Sequence, residues 1–221
     1  FWVVAQFNAE TDANFQLVER HDWIPSLKIE LFLGVDGISV LFLPLSALLT
    51  LLGILASWTG IQNQPRFYFA MLLILEGITM GVFSTLDMML FFLFWELTLP
   101  PIFFLIALWG IGPHRRKAAT KYTLFMLFGG VPLLFAIIIL ALNHAVQSGG
   151  VVPEALSFSF PVLSETPMPD PLQAVVFVLL LLGFAVKAPL VPFHTWLPTA
   201  AMEAPPQMTA LLTGLKLGAF G

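Results

Sequence analysis

Apolar residues form five long runs along the chain, and polar or proline-rich segments bound each run. The runs are Ile38–Trp58, Phe67–Thr85, Met88–Leu108, Tyr122–Leu142 and Leu172–Ala188. An α-helix needs about 20 such residues to cross the hydrocarbon core of a bilayer. Because the runs are continuous and do not alternate with polar residues, they favour helices over the strands of a β-barrel. We therefore predict five transmembrane helices and a sixth that begins near Pro206.

Two long polar segments, Asn8–Asp36 and Asn143–Pro171, separate some of these runs. We expect both to be hydrophilic loops, and the second to be irregular because it is rich in Pro, Ser and Gly. The chain starts without Met inside one apolar stretch and stops inside another. The predicted fold class is therefore all-α: a polytopic transmembrane helix bundle, with residues 1–221 forming a single transmembrane domain of a longer protein.

The composition agrees with a membrane protein and excludes several other classes. Hydrophobic residues make up 58% of the 221 residues and charged residues only 10%, against about 25% charged in soluble domains. A formal net charge of -4 argues against a nucleic-acid-binding protein, which needs a basic surface. The absence of cysteine excludes disulfides, iron–sulfur ligation and thiolate zinc sites in this chain. With no glycine-rich nucleotide-binding motif, we expect this chain to carry no cofactor.

The distribution of Lys and Arg predicts which side of the membrane each segment faces. Trp109–Lys121 carries four basic residues and no acid, whereas Asn143–Pro171 has no Lys or Arg and three acids. Asn8–Asp36 has two basic residues against six acids. Cytoplasmic segments are enriched in Lys and Arg. We therefore place Trp109–Lys121 in the cytoplasm and both acidic segments outside, and a bacterial inner membrane is the expected location.

Four ionisable residues lie within apolar runs or beside an interruption of one: Glu96, Lys187, His194 and Lys216. A charge at the bilayer centre costs about 2.5–3.5 kcal/mol, so such residues are candidates for function by default. Structural alternatives are a neutral buried carboxyl, a lysine that reaches the headgroups, and a histidine bonded to a carbonyl. We favour a function in ion or proton transfer for all four.

Two further acids are secondary candidates for the same role. Glu76 lies in the middle of a predicted span, and the sequence indicates no partner for it. Glu203 lies near a span end, where water can solvate it. Asp36 and Asp87 each come directly before a span, and we interpret both as helix caps.

Prolines interrupt two predicted helices next to these charges. Pro100–Pro101 follow Glu96, and three prolines within Pro189–Pro198 follow Lys187. Proline cannot donate a backbone hydrogen bond and weakens a helix. Broken helices at membrane depth are tolerated inside protein or beside a water cavity, and they commonly frame transport sites. We predict a discontinuous helix beyond Lys187.

The opposite charges of Glu96 and Lys187 suit a proton relay. Each stabilises the ionised form of the other, so that separating them releases a proton from one or loads a proton onto the other. Our hypothesis is that these two residues form an ion pair, with His194 and Lys216 further along the same path.

Several segments also carry a family resemblance: Gly34–Ser39, Phe91–Leu97, Leu105–Gly110, Ala118–Lys121, Phe184–Pro198 and Lys216–Gly221. They resemble the antiporter-like subunit M, or chain 4 type, of proton-pumping NADH:quinone oxidoreductase (respiratory complex I). The stretch around the broken helix is shared by all antiporter-like subunits, whereas Phe91–Leu97 and Gly34–Ser39 point more narrowly to subunit M.

The resemblance implies the antiporter-like subunit fold, with this chain running from the end of helix two to helix eight of a longer bundle. It implies that Glu96 is the central-axis glutamate of the family. It likewise implies that Lys187 and Lys216 are the lysines of the broken seventh helix and of the eighth helix.

The implied function is that of a proton-translocating subunit of a quinone reductase whose redox chemistry lies elsewhere. NADH, FMN, iron–sulfur clusters and quinone would be bound by partner subunits, and neighbouring antiporter-like subunits and lipid would surround this chain. An alternative is a subunit of a multisubunit Na⁺/H⁺ antiporter or of a membrane-bound hydrogenase, and the transported ion is either H⁺ or Na⁺. A purely structural subunit is a third interpretation, against which the buried charges count.

Overall fold

The computed structural model describes residues 2–8 and 14–211, and apolar helices form most of this part of the chain. The helices are α1 (Trp2–Gln6), α2 (Ser39–Ser57), α3 (Pro65–Ser84), α4 (Met88–Leu97), α5 (Leu99–Trp109), α6 (Arg115–Gln147), α7 (Phe160–Glu165), α8 (Asp170–Lys187), α9 (Trp196–Glu203) and α10 (Pro206–Leu211). Two strands, β1 (Gln16–Ile24) and β2 (Ile29–Val35), precede α2. Single 3₁₀ turns lie at Pro25–Leu27 and Phe193–Thr195.

Five helical segments are long and apolar enough to cross a membrane: α2, α3, α4 with α5, α6 and α8. This confirms the five predicted spans and the all-α bundle. The predicted interruption beyond Lys187 is confirmed as well, because α8 ends at Lys187 and α9 begins only at Trp196. The sixth span lies mostly outside the described residues.

Helix α6 is longer at both ends than the predicted span Tyr122–Leu142. It covers Arg115–Gln147, so the expected loop Trp109–Lys121 is helical from Arg115 onward. The reason is local: the residues after Gly112 and Pro113 include Arg, Lys and Ala, which favour helix, and no further breaker precedes Tyr122. The four basic residues, Arg115, Arg116, Lys117 and Lys121, therefore lie in the first turns of α6.

The expected loop Asn8–Asp36 contains an antiparallel hairpin of β1 and β2, which the sequence analysis missed. The pairing places Arg20 opposite Phe32 and Asp22 opposite Glu30. Arg20 Nε also donates to Glu30 Oε2 across the hairpin at 2.6 Å. Burial along β2 accounts for the strand, because Ile29, Phe32 and Val35 are buried and no residue of β2 is exposed.

The connection between α3 and α4 and the first residue of α4 form backbone hydrogen bonds to both acidic segments, Asn8–Asp36 and Asn143–Pro171. Leu86 N donates to Phe32 O, and Met88 N donates to Phe158 O, each at 2.8 Å. The second segment is also more ordered than expected, since it contains α7. The predictions of a loop and of an irregular segment were therefore wrong for these parts.

Asp87 and Asp36 cap helices, as predicted. Asp87 Oδ1 accepts hydrogen bonds from Met89 N and Leu90 N, both at 2.9 Å, at the start of α4. Burial raises the pKa of the Asp87 carboxyl, while these backbone donors oppose that rise. Asp36 Oδ1 accepts from Ser39 N at 2.6 Å, and Ser39 Oγ accepts from Asp36 N at 2.9 Å.

The interior of the bundle is closely packed, and its outer surface is apolar. One buried cluster joins Tyr68, Tyr122 and Trp196 with aliphatic residues of α3, α5, α6, α9 and α10. Large hydrophobic side chains such as Leu51, Phe128 and Phe177 are exposed on the outside. A surface of this kind is suited to hydrocarbon and not to water.

Candidate functional site

A buried ion pair between α4 and α8 is the centre of the candidate site. Lys187 Nζ lies 2.7 Å from Glu96 Oε1, within hydrogen-bond distance. The lysine side chain is only 1% exposed and the glutamate side chain 19% exposed. The two residues predicted to pair are therefore in contact, although 91 positions separate them in the sequence.

The proline pair sets the local geometry around Glu96. Helix α4 ends at Leu97, and α5 begins at Leu99 with Pro100 and Pro101 in its first turn. Since neither proline carries an N–H, the carbonyls of Glu96 and Leu97 lose their usual helical partners. The carboxyl thus sits on the last turn of a helix, directly before a break in the middle of a membrane span.

A second break follows Lys187 on α8. Leu190 N donates to Ala185 O instead of to Val186 O, at 2.9 Å, so the regular helical ladder ends. The indole Nε1 of Trp196 donates to the freed Val186 O, also at 2.9 Å. Trp196 is fully buried, so this bond ties the first residue of α9 to the last turn of α8.

An aromatic ring completes the surroundings of the lysine. Lys187 Nζ lies 4.8 Å from the centre of the Trp95 ring. Trp95 is fully buried and packs against Phe91 and Phe184, with ring centres 4.9 and 5.7 Å away. A desolvated cation over an indole face is stabilised by about 2 kcal/mol or more. Trp95 therefore provides a second favourable contact for the buried charge.

Glycines on α6 allow this close approach, and the sequence analysis missed them. A Cβ placed on Gly130 would lie 2.6 Å from Glu96 Oε1. A Cβ on Gly129 would lie 2.7 Å from the Cβ of Val186. Both contacts are too short for any side chain, so α6 presents bare backbone to the ion pair and to α8. Two adjacent glycines inside an apolar run were the available signal.

Of the other two predicted relay residues, only His194 is described, and it forms no hydrogen bond to the ion pair in that part of the chain. His194 lies in the 3₁₀ turn between α8 and α9, and its Nδ1 is buried without a hydrogen-bond partner there. Lys216 lies outside the described residues. His194 therefore lies in the interruption that follows Lys187, seven positions further along the chain.

Glu76 has partners that the sequence did not indicate. Its Oε2 accepts from Ser46 Oγ at 3.2 Å and from Thr50 Oγ1, so two hydroxyls of α2 hold a carboxyl of α3. Both hydroxyl residues are buried. Oε1 of Glu76 is buried and has no hydrogen-bond partner among the described residues. This is a second acidic site inside the bundle.

Glu203 is the last residue of α9, and its side chain lies beside the start of α6. Its Oε2 accepts from His114 N at 2.8 Å, and its backbone oxygen accepts from Ile111 N at 3.0 Å. A carboxylate beside the first backbone donors of a helix is favoured by the helix dipole. The structure therefore gives Glu203 a capping contact on the basic side of the bundle.

Lys121, one of the basic residues of the predicted cytoplasmic segment, makes contacts that the sequence does not indicate. Its Nζ donates to Thr195 O at 2.7 Å and to Thr199 Oγ1 at 3.2 Å. The lysine therefore links α6 to the start of α9, whose N-terminal cap residue is Thr195.

Comparison with known proteins gives matches across most of the chain. A family model described as "NADH:quinone oxidoreductase/Mrp antiporter, TM" matches residues 85–221. An NAD(P)H-quinone oxidoreductase chain 4 from Synechococcus sp. is 37% identical and aligns with 100% of this chain and 40% of its own length. An NADH-quinone oxidoreductase subunit M from Rickettsia conorii is 34% identical, covering 100% of this chain and 43% of its own.

A solved structure gives the same result for the fold. The structure of respiratory complex I from Thermus thermophilus with bound NADH contains a chain that superposes with a TM-score of 0.78 at 32% identity. The match covers 92% of this chain and 41% of that chain. The present chain thus spans about two fifths of the length of the relatives it matches. Since the family model covers more than half of the chain, this integral membrane protein belongs to the NADH:quinone oxidoreductase/Mrp antiporter transmembrane family.

Proposed function

We propose that this chain is part of a proton-translocating membrane subunit of an NADH:quinone oxidoreductase. The observation that carries the proposal is the ion pair between Glu96 and Lys187, which is buried where two helices break. The names of the two aligned relatives support the choice of complex. Electron transfer would take place in partner subunits, which would bind NADH, FMN, iron–sulfur clusters and quinone.

The pair offers a simple physical basis for moving a proton. While Lys187 and Glu96 are in contact, each charge compensates for the loss of water around the other. If Lys187 moves away, an unpaired charge in a medium of low dielectric constant is costly. Glu96 then takes up a proton, or Lys187 releases one, and return of the lysine reverses the step. The two breaks supply the places where the helices can bend.

The remaining candidates extend this path in the proposal. His194 lies just beyond the break and has a buried ring nitrogen available for a proton. Lys216 would continue the path on the following helix. Glu76 and Glu203 are secondary members; the hydroxyl partners of Glu76 favour a buried proton-binding role, and the capping contact of Glu203 favours a structural one.

A subunit of a cation/proton antiporter is the second candidate, because the family description also includes Mrp antiporters. A membrane-bound hydrogenase subunit belongs to the same alternative. A purely structural role is disfavoured, since a scaffold gains nothing from a buried ion pair that hydrophobic residues could replace at equal or greater stability.

Isolation of the complex that contains the full-length protein tests the proposal. We expect it to migrate as a large assembly with flavin and iron–sulfur signals, and to oxidise NADH with quinone while acidifying reconstituted vesicles in the absence of Na⁺. A small assembly without redox centres that exchanges Na⁺ for H⁺ would contradict the proposal and support the antiporter.

A further inference from the structure

A groove on the outer face of α6 changes from basic to apolar along its length. Its upper part, defined as the part nearest the start of α6, is lined by Arg116, Lys117, Thr120, Lys121, Leu124 and Phe125. An adjoining cavity is lined by Leu124, Phe125, Phe128, Val186 and Phe193. The two cavities share Leu124 and Phe125, and together they extend along α6 from Arg116 to Phe128, within its candidate membrane span; we call the two together the α6 groove.

Of the basic residues near the start of α6, Arg116 and Lys117 have no acidic partner within the described residues, whereas the Glu203 carboxylate accepts a hydrogen bond from His114 N nearby. Arg115, Arg116 and Lys117 occupy the first turn of α6, which contains no acid. The start of a helix is the positive end of its dipole, so cations are disfavoured there and an anion is favoured. Arg115 donates to Gly110 O, but neither Arg116 nor Lys117 forms an ion pair in the part of the chain that the structure covers.

The lower part requires a different chemistry. Phe128 is 82% exposed, and Leu124 is 60% exposed. These residues lie within the candidate membrane span of α6, and large exposed apolar side chains of this kind suit contact with hydrocarbon. A small soluble anion would leave this apolar half of the groove uncovered, and an uncharged lipid would leave the basic half unpaired.

We propose that this groove binds an anionic phospholipid. Its phosphate would lie between Arg116, Lys117 and Lys121, and one acyl chain would lie along Leu124 and Phe128. The groove matches such a lipid in charge and in position. Its basic residues lie at the predicted cytoplasmic surface and attract anionic headgroups, and its apolar residues on α6 lie within the candidate span, where an acyl chain would lie. The inference concerns a surface separate from the ion pair and does not rest on the proposed function.

Lys121 gives the bound lipid a contact with the broken helix. The same ammonium that lines the groove donates to Thr195 O and Thr199 Oγ1 beyond the break. A phosphate at this position would therefore lie next to the link that holds α9 to α6.

Photolabelling of the purified complex tests the inference. The probe is phosphatidylglycerol with a photoreactive group in its acyl chain, and phosphatidylcholine with the same group is the neutral counterpart. We expect phosphatidylglycerol to label the peptide that contains Leu124 and Phe128, and Arg116→Gln/Lys117→Gln to lower this labelling by roughly ten-fold.

Arg66→Gln is the matched control, because Arg66 is also exposed in the first turn of a helix on the basic side. It should leave labelling at α6 unchanged, and native gels verify that all variants assemble. Equal labelling by the two lipids, or unchanged labelling in the double variant, would overturn the inference. So would the absence of labelling because a neighbouring subunit covers the groove.

Discussion

At the scale of single residues, the carboxyl of Glu96 is held between a cation on one helix and bare backbone on another. Lys187 approaches it from α8, while Gly130 leaves space for it on α6. Trp95 lies under the lysine. Each contact constrains the distance between the two charges, so small changes of volume here affect the pair directly.

Gly130→Ala is expected to displace the Glu96 carboxylate and to slow proton pumping several-fold. The added methyl would lie 2.6 Å from Oε1, well inside van der Waals contact. Gly77→Ala on α3 is the matched control, since a Cβ there meets nothing within 4 Å. Acidification by vesicles that contain each complex measures the effect. Equal pumping by both variants would show that the close approach of Gly130 to Glu96 is not needed for proton pumping.

At the scale of helices, the site depends on two interruptions, and side chains hold the one that follows Lys187. Trp196 binds the carbonyl freed at Val186, and Lys121 reaches from α6 to the carbonyl of Thr195 at the start of α9. Without such partners, buried carbonyls would be costly in a membrane. The break that follows Lys187 therefore has a defined geometry in the structure, with the freed Val186 carbonyl satisfied.

Trp196→Phe is expected to destabilise the assembled protein by about 1–3 kcal/mol, because it leaves the buried Val186 carbonyl without its donor. Trp109→Phe removes a comparable bond, to Asn63 O at 2.8 Å, but at an exposed position where water can replace it. The temperature at which the complex dissociates should fall clearly more for Trp196→Phe. A similar fall in both variants would argue against the tie across the break.

The cap of α4 gives a second prediction at this scale. Asp87→Ala should cost about 0.5–2 kcal/mol, because Met89 N and Leu90 N lose their acceptor. Asp87→Asn keeps an acceptor at the same place and should be much milder. Thermal dissociation of the two variants measures the difference, and equal losses would mean that the charge of Asp87 matters instead of its capping bonds.

At the scale of the whole molecule, hydropathy alone predicts the spans, and the cost of a buried charge singles out Glu96 and Lys187. Their contact could be proposed because few partners exist for a charge in a membrane. The contacts of Gly130, Glu76 and Lys121 could not be predicted. A helix that is apolar all round does not specify its rotation against its neighbours, so the sequence leaves open which faces meet.

The hairpin was missed for a related reason. Polar and charged residues follow one another from Glu19 to Asp22 in β1, so the segment resembles a polar loop when only hydropathy is considered. Its order comes from pairing with β2 and from the bond between Leu86 N and Phe32 O. The hairpin covers one end of the helix bundle. The basic residues and the α6 groove lie at the opposite end.

We propose that Glu96 and Lys187 move protons by separating and pairing again. The number of protons taken up per NADH oxidised, measured in vesicles with the reconstituted complex, is the decisive test of this proposal. Glu96→Gln and Lys187→Ala should each lower this ratio while the complex remains assembled, and Glu154→Gln, an exposed acid outside the spans, should leave it unchanged. An unchanged ratio in both pair variants would contradict the claim.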